Sequence, residues 1–315
     1  MASDNAPLPP PLLNDALPPD HRSGYVALVG KPNVGKSTLL NAWLGYRLMA
    51  VSPKPQTTRN ALLGILTRPD AQVIFVDTPG VHTPRSKLGE YMVQSARRAL
   101  PDADVVLWLV DLAGPPDALD EQVAALVGAL EDTPVLMALN KADLAAPGAL
   151  AERFAAYQAL GDFPAAAVSA LTGAGLPELL ESVVARLPQG PRYYPEDQLS
   201  DQQERFIASE LVREAVMRLL EYEVPYASAV LVNEFKEREN GVLFIAATIY
   251  TERDSQKGIV IGRGGAMLKR IGSLARANLE EMFGTRVYLE LWVKVHKNWR
   301  SDAQALRDLG YSTRR

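Results

Sequence analysis

Eight residues constrain this chain more than any others: Gly30-Lys31-Pro32-Asn33-Val34-Gly35-Lys36-Ser37. A Val-rich apolar run, Tyr25–Val29, precedes them, and a helical pattern opening Thr38-Leu39-Leu40 follows. A strand, a glycine loop ending in Lys-Ser and a helix form a unit whose backbone N–H groups and helix N-terminus surround phosphate oxygens. Such a unit belongs to a parallel sheet, because its helix carries the chain back across the sheet before the next strand.

The surrounding pattern agrees. Strands are predicted at Tyr25–Val29, Ala61–Leu66, Gln72–Val76, Asp104–Val110, Pro134–Leu139 and Ala165–Val168, with helices at Lys36–Leu44, Lys87–Leu100, Leu119–Leu130 and Leu176–Leu187. Apolar strands alternating with helices over residues 23–190 predict an α/β domain, a mostly parallel sheet with helices on both faces. The rhythm stops at Leu187-Pro188-Gln189-Gly190-Pro191, and 191–200 reads as a linker. Residues 201–300 follow an α+β pattern: an amphipathic helix over Asp201–Glu221, hairpin strands at Ala227–Phe235 and Val242–Thr251, a Gly-rich turn, a basic helix to Phe283 and a strand at Arg286–Val295. Residues 1–22, Pro-rich and aperiodic, read as a disordered tail, and 301–315 as a second tail ending Arg314-Arg315.

Composition narrows the partners. The chain has no cysteine, which excludes disulfides and Cys-based metal sites and fits a reducing compartment. Its N-terminus lacks the basic and apolar regions of a signal peptide, and its apolar runs are too short to span a bilayer, so a cytoplasmic protein is expected. Net charge is −4, yet residues 253–300 hold ten basic against four acidic side chains. That local excess points to a polyanion partner; its plain alternative is a solvated helix face.

Three further motifs complete a nucleotide site. Val73-Ile74-Phe75-Val76 leads into Asp77-Thr78-Pro79-Gly80, which puts an acid at the carboxyl end of a strand to hold Mg²⁺ and the Gly80 amide near a γ-phosphate. Asn140-Lys141-Ala142-Asp143 follows another strand. Asp143 is suited to accept hydrogen bonds from guanine N1–H and N2–H₂, a donor pair that adenine lacks, while Lys141 lays its stem over the ring and Asn140 ties neighbouring loops. Ser169-Ala170-Leu171 then offers a backbone amide to guanine O6. Lys36 is assigned to the β- and γ-phosphates and Ser37 to Mg²⁺. The polar segment Ser52–Arg59 is the expected switch loop, with Thr57 or Thr58, the latter preferred, as a further Mg²⁺ ligand. This ordered set implies a GTP site and argues against an ATPase or a dinucleotide fingerprint.

Pro-Gln-Thr-Thr-Arg and Asp-Thr-Pro-Gly resemble the translation-factor-like GTPases. Gly258–Gly272, with Gly262-Arg263-Gly264-Gly265 as a G-x-x-G loop, resembles a KH segment, in which Lys257, Arg263, Lys269 and Arg270 neutralise phosphates of single-stranded RNA. A GTPase domain joined to a type II KH domain resembles the bacterial Era family over about residues 24–300. The resemblance implies a monomeric, GTP-switched factor of small (30S) subunit assembly whose KH domain binds the 3′ end of 16S rRNA rather than DNA, with peripheral contact to the inner face of the cell membrane. Two alternatives stay open: a GTP-regulated RNA chaperone with little turnover, and a related GTPase acting on another RNA. Val81 stands where Ras-like enzymes carry the water-orienting Gln, so slow intrinsic hydrolysis is expected, with Arg59 and Arg85 as finger candidates and His82 as a minor candidate base. Related GTPases with Asn at the position of Asn33 bind K⁺; the alternative is that Asn33 only caps its loop.

Overall fold

In a computed structural model of the chain, residues 17–146, 148–200 and 204–311 are described. The first domain comprises β1 (Arg22–Val29), α1 (Lys36–Leu44), β2 (Leu62–Thr67), β3 (Ala71–Asp77), α2 (Lys87–Arg98), β4 (Val105–Asp111), α3 (Ala118–Gly128), β5 (Val135–Asn140), α4 (Leu150–Gln158), β6 (Ala165–Ala167) and α5 (Leu176–Val184). The strands lie in the order β2-β3-β1-β4-β5-β6, with β2 antiparallel to β3 and the rest parallel. Because side chains alternate across a strand, Val26 and Leu28 face a core shared with Leu39 and Leu40 of α1 and Val183 of α5. Ala27 and Val29 face the opposite core, with Ala96 of α2, Val123 of α3 and Tyr157 of α4. Helices therefore cover both faces, and β1, β3, β4 and β5 end together on one edge.

The second domain comprises α6 (Glu204–Leu219), β7 (Ala229–Glu237), β8 (Leu243–Thr251), α7 (Asp254–Ile261), α8 (Ala266–Phe283) and β9 (Val287–Val295). Its sheet runs β7-β8-β9, antiparallel then parallel.

Several boundaries differ from the sequence reading. Residues 1–16, most of the proposed N-terminal tail, lie outside the described residues. Its last residues, however, are structured: Arg22 opens β1, and buried His21 donates from Nδ1 to the Gly190 carbonyl at 2.8 Å. The linker 191–200 is a strap along edge strand β2. Ile65 N–H donates to Leu199 O (2.9 Å), Ser200 Oγ to Leu63 O (2.7 Å), and the Tyr193 amide to Gln72 Oε1 (2.7 Å), which covers an otherwise open sheet edge. The tail 301–315 is a correction as well, since α9 (Ala303–Asp308) lies within it and Leu306, Leu309 and Tyr311 pack with Trp299 against Leu88 and Met92 of α2. Its final Arg314-Arg315 lies outside the described residues. Helix α4 carries little periodic signal because only Tyr157 in it is buried. Helix α7, read as part of a Gly-rich turn, starts where Gln256 Oε1 accepts the Glu252 and Arg253 amides (3.0 and 3.2 Å). Helix α6 is buried all round from Ile207 to Met217, not amphipathic, because it is wedged between its own sheet and the first domain.

Candidate functional site

The phosphate loop, the switch loop, Gly80 and Lys141 line an open cleft of about 400 Å³ at the carboxyl ends of the strands. Gly35 (φ 102°) sits so close to the guanine loop that a Cβ there would lie 2.2 Å from Asn140 Nδ2. That Nδ2 donates to Val34 O (2.7 Å), and the Ala170 amide donates to Asn140 Oδ1 (2.8 Å). One buried side chain thus joins the phosphate loop to Ser169-Ala170-Leu171. Lys141 donates from Nζ to Asp111 Oδ2 at the end of β4 (2.6 Å). Asp143 projects from the short turn Ala142–Leu144 and is exposed, as is Leu171.

Lys36 is buried, donating to Lys31 O (3.0 Å) and Gly30 O (3.3 Å). Burial brings its ammonium down to about 8, with the Asp77 charge opposing. Lys31 points the other way, to Asp117 Oδ2 (2.8 Å) and Asp120 Oδ2 (2.6 Å) at the start of α3, and contributes backbone rather than charge to the loop. Pro32 lies against Gly80, where an added Cβ would be 2.5 Å from Pro32 N.

Ser37, Thr58 and Asp77 converge. Ser37 Oγ lies 2.7 Å from Asp77 Oδ2 and 2.9 Å from Thr58 Oγ1, and Thr58 Oγ1 lies 3.2 Å from the same carboxylate oxygen. Thr57 turns away and donates to Lys54 O (2.8 Å). Among the described residues Asp77 Oδ1 is buried without a partner. Burial pushes the Asp77 carboxyl up, against the pull of Lys36 and the two hydroxyls. A clustered set of oxygens around a buried carboxylate with an unpaired oxygen suits a hard cation such as Mg²⁺. Among the described residues there is no group of three or more His, Cys, Asp and Glu able to hold a metal, so such an ion takes its remaining ligands from phosphates and water, the usual habit of Mg²⁺.

The residues around the attacking position are less well supplied. The Val81 amide donates to Gly30 O (3.0 Å) and its side chain is buried in the core. Thr78 donates to Leu28 O (2.6 Å), so it braces β1, and Pro79 leads on to Gly80. His82 bonds Gly80 O through Nδ1 (2.8 Å). Arg85 is exposed. Arg59 is no finger in this arrangement: it is fully buried and bonded to the second domain. Asn33 donates from Nδ2 to Pro53 O (2.8 Å), which ties the phosphate loop to the switch loop.

In the second domain Gly262-Arg263-Gly264-Gly265 connects α7 to α8, with Gly264 at φ 58° and no atom within 4 Å of a Cβ built there. Arg263, Lys269 and Arg270 are exposed around it, and Lys257 is half-buried. A groove continues along α8 and β9, lined by Leu268, Ser273, Arg276, Leu289 and Leu291. Sequence reasoning missed these residues, although Gly272-Ser273, small and one helical turn past Lys269, mark where the groove opens. Asp111 was missed too; its only signal is its place at the end of an apolar strand.

The fold and site define a P-loop GTPase carrying a C-terminal KH domain. Residues 25–141 match the family model described as 50S ribosome-binding GTPase, and residues 223–300 match that of the KH domain. GTPase Era of Geobacter metallireducens is 51% identical over 294 residues, covering 92% of this chain and 98% of that protein. GTPase Era of Staphylococcus haemolyticus is 43% identical over 293 residues, covering 93% and 98%. A crystal structure of Era with MgGDPNP and nucleotides 1506–1542 of 16S ribosomal RNA superposes with a TM-score of 0.87 at 40% identity, covering 93% of this chain and 99% of that one. A variant of Aquifex aeolicus Era bound to GDP·AlF₄⁻ gives 0.86 at 40% identity, covering 92% and 99%. The chain belongs to the Era family of GTPases.

Proposed function

We propose that this chain is a GTP-switched RNA-binding factor that hydrolyses GTP, holds the 3′ end of 16S rRNA in its KH groove and acts in small (30S) subunit assembly and 16S rRNA maturation. The observation that carries the switch is the convergence of Ser37, Thr58 and Asp77, which links the phosphate loop, the switch loop and a core strand at one point. The relative crystallised with MgGDPNP and 16S rRNA nucleotides supports the RNA end of the reading.

In hydrolysis, Lys36 and the loop amides bind and orient the phosphates, and Asn140 holds the base and phosphate loops in register. Ser37, Thr58 and Asp77 would hold Mg²⁺, which neutralises charge on the β- and γ-oxygens when bound. Val81 gives no group to orient water, so intrinsic turnover is slow. We extend the proposal to K⁺ beside Asn33 as the missing positive charge, to a monomer in the cytoplasm, and to peripheral contact with the inner face of the cell membrane. Among the described residues no helix is long and apolar enough to cross a membrane.

The buried Val81 also favours a second reading, an RNA chaperone that binds GTP with little turnover. Multiple-turnover phosphate release, in K⁺ and in Na⁺ at equal ionic strength, with and without 16S 3′-end RNA, separates the two. We expect turnover that is faster in K⁺ and raised by RNA. Less than one turnover per protein in every condition contradicts the enzyme reading, and equal rates in the two salts contradict the K⁺ site.

A further inference from the structure

The switch loop is tied to the second domain at several points. At its start, Arg218 Nε donates to Val51 O (3.1 Å), and Lys54 Nζ donates to Met217 O in the last turn of α6 (2.8 Å) and to Leu220 O just past its end. Near its end, Arg213, fully buried on α6, donates to Thr57 O and pairs with Glu210. Arg59 then leaves the first domain altogether. Its guanidinium donates to the carbonyls of Ser228 (2.8 Å), Tyr226 (3.1 Å) and Pro225 (3.4 Å) and to the Tyr311 hydroxyl (3.3 Å). The Trp299 and Tyr311 rings, stacked 5.8 Å apart at 20°, present their faces to it at 5.7 and 6.0 Å. Trp299 is fixed in turn by donation from Nε1 to Ala227 O (2.9 Å).

A buried cation with such a cage has no room to move while its partners stay. Carbonyl dipoles and ring faces replace part of the water it has lost, although among the described residues its Nε is left without a partner and the Arg213 charge opposes it. Thr58 is its immediate neighbour in the chain and Thr57 the residue before that, so holding the Thr57 carbonyl and the Arg59 guanidinium fixes the backbone on both sides of Thr58. The Thr58 hydroxyl is the switch-loop oxygen that meets Ser37 and Asp77.

We propose that Arg59, assisted by Arg213, is a positioning residue through which the second domain and its C-terminal segment hold Thr58 at the γ-phosphate side of the nucleotide site. The KH domain is thereby part of the switch. This rests on the GTPase reading above and deepens it. A GTP analogue needs Thr58 in place, whereas GDP, lacking the γ-phosphate, relies on the phosphate loop and the guanine loops. Loss of the cage therefore separates the two nucleotides, which a general loss of stability does not.

The test measures affinities of the full chain for GDPNP and for GDP, with Mg²⁺, in Arg59→Lys, Arg213→Lys and Tyr311→Phe. Lysine keeps the charge and loses the fork; phenylalanine keeps the ring and removes one hydroxyl far in sequence from the site. The expected result is a loss of GDPNP affinity of about tenfold for the two arginine variants and about threefold for Tyr311→Phe, in keeping with one lost hydrogen bond or a few. GDP affinity should stay within about twofold in all three, and the Mg²⁺ concentration needed for half-maximal GDPNP binding should rise. Unchanged GDPNP affinity in Arg59→Lys, or losses shared equally by GDP and GDPNP, overturns the proposal. Retained GDP binding in every variant keeps the nucleotide-site reading intact whichever way the comparison falls.

Discussion

At the residue scale the site is a set of buried groups whose partners sit on different loops. Asn140 shows this most directly. Replacing it with Ala leaves Val34 O and Ala170 N–H buried and unpaired, each costing about 1–3 kcal/mol, so GDP affinity should fall at least about tenfold in a fluorescent-nucleotide titration; wild-type affinity would mean that the two loops are held by something else. Asp143→Asn should move preference from guanine toward xanthosine triphosphate, and unchanged GTP selectivity would misplace the base. Lys36 makes a pH prediction. Burial brings its ammonium down to about 8, while bound phosphates favour the charged form and raise it again. The complex then binds more protons than the free protein above about pH 8, so the Lys36 contribution to GDP affinity should be flat between about pH 7 and about pH 8, above the phosphate ionisation at about pH 6, and decline beyond that by up to about tenfold per unit. Calorimetry in buffers of different ionisation heat would register the proton uptake; no uptake and a level profile above pH 8 would mean that Lys36 stays charged when free. The phosphate-loop, Asp77 and Asn140 positions were legible because each follows an apolar strand. Between Thr57 and Thr58 the sequence gives only a preference, for Thr58; the coordinates supply the direction, with Thr58 at Ser37 and Asp77 and Thr57 turned to Lys54 O.

At the element scale, strands and their flanking helices were readable because alternate strand residues enter two different cores, as Val26 and Ala27 do. What escaped were elements stabilised by contacts distant in sequence. Helix α9 is capped locally by Asp302, but it is short, and what holds it is distant: Leu306 is 5% exposed and packs with Leu88 and Met92 of α2. Leu306→Ala should cost about 2–5 kcal/mol in urea unfolding, whereas a solvated tail would show a change of at most about 0.5 kcal/mol. The G-x-x-G loop gives the opposite case. Gly264 lies in the left-handed region with open space beyond it, a conformation Asp accepts better than most residues. Gly264→Asp should therefore cost no more than about 2 kcal/mol of stability while placing a negative charge where RNA phosphates are proposed to pass. Unfolding at much lower urea would show the loop to be structural.

At the scale of the whole molecule, the two domains are joined through the switch loop as well as through the strap 191–200. The polar residues of α6, which the sequence alone presents as a solvated face, are the ones that grip the first domain: Arg213 on Thr57 O, and Glu214 on Arg47. Arg59 and Ser228 stand 169 positions apart, a separation that no local pattern reports, and this is why Arg59 reads from sequence as a finger candidate rather than an anchor. The proposed role of Arg59 couples the nucleotide state to the second domain through these contacts. The most direct test is the affinity of the full chain for single-stranded RNA from the 3′ end of 16S rRNA, measured at fixed salt with GDP or GDPNP bound, and with Gly264→Asp alongside. Tighter binding in the GDPNP form, lost in Gly264→Asp, is the result predicted for a GTP-switched RNA-binding factor. Equal affinity in the two nucleotide states would contradict it.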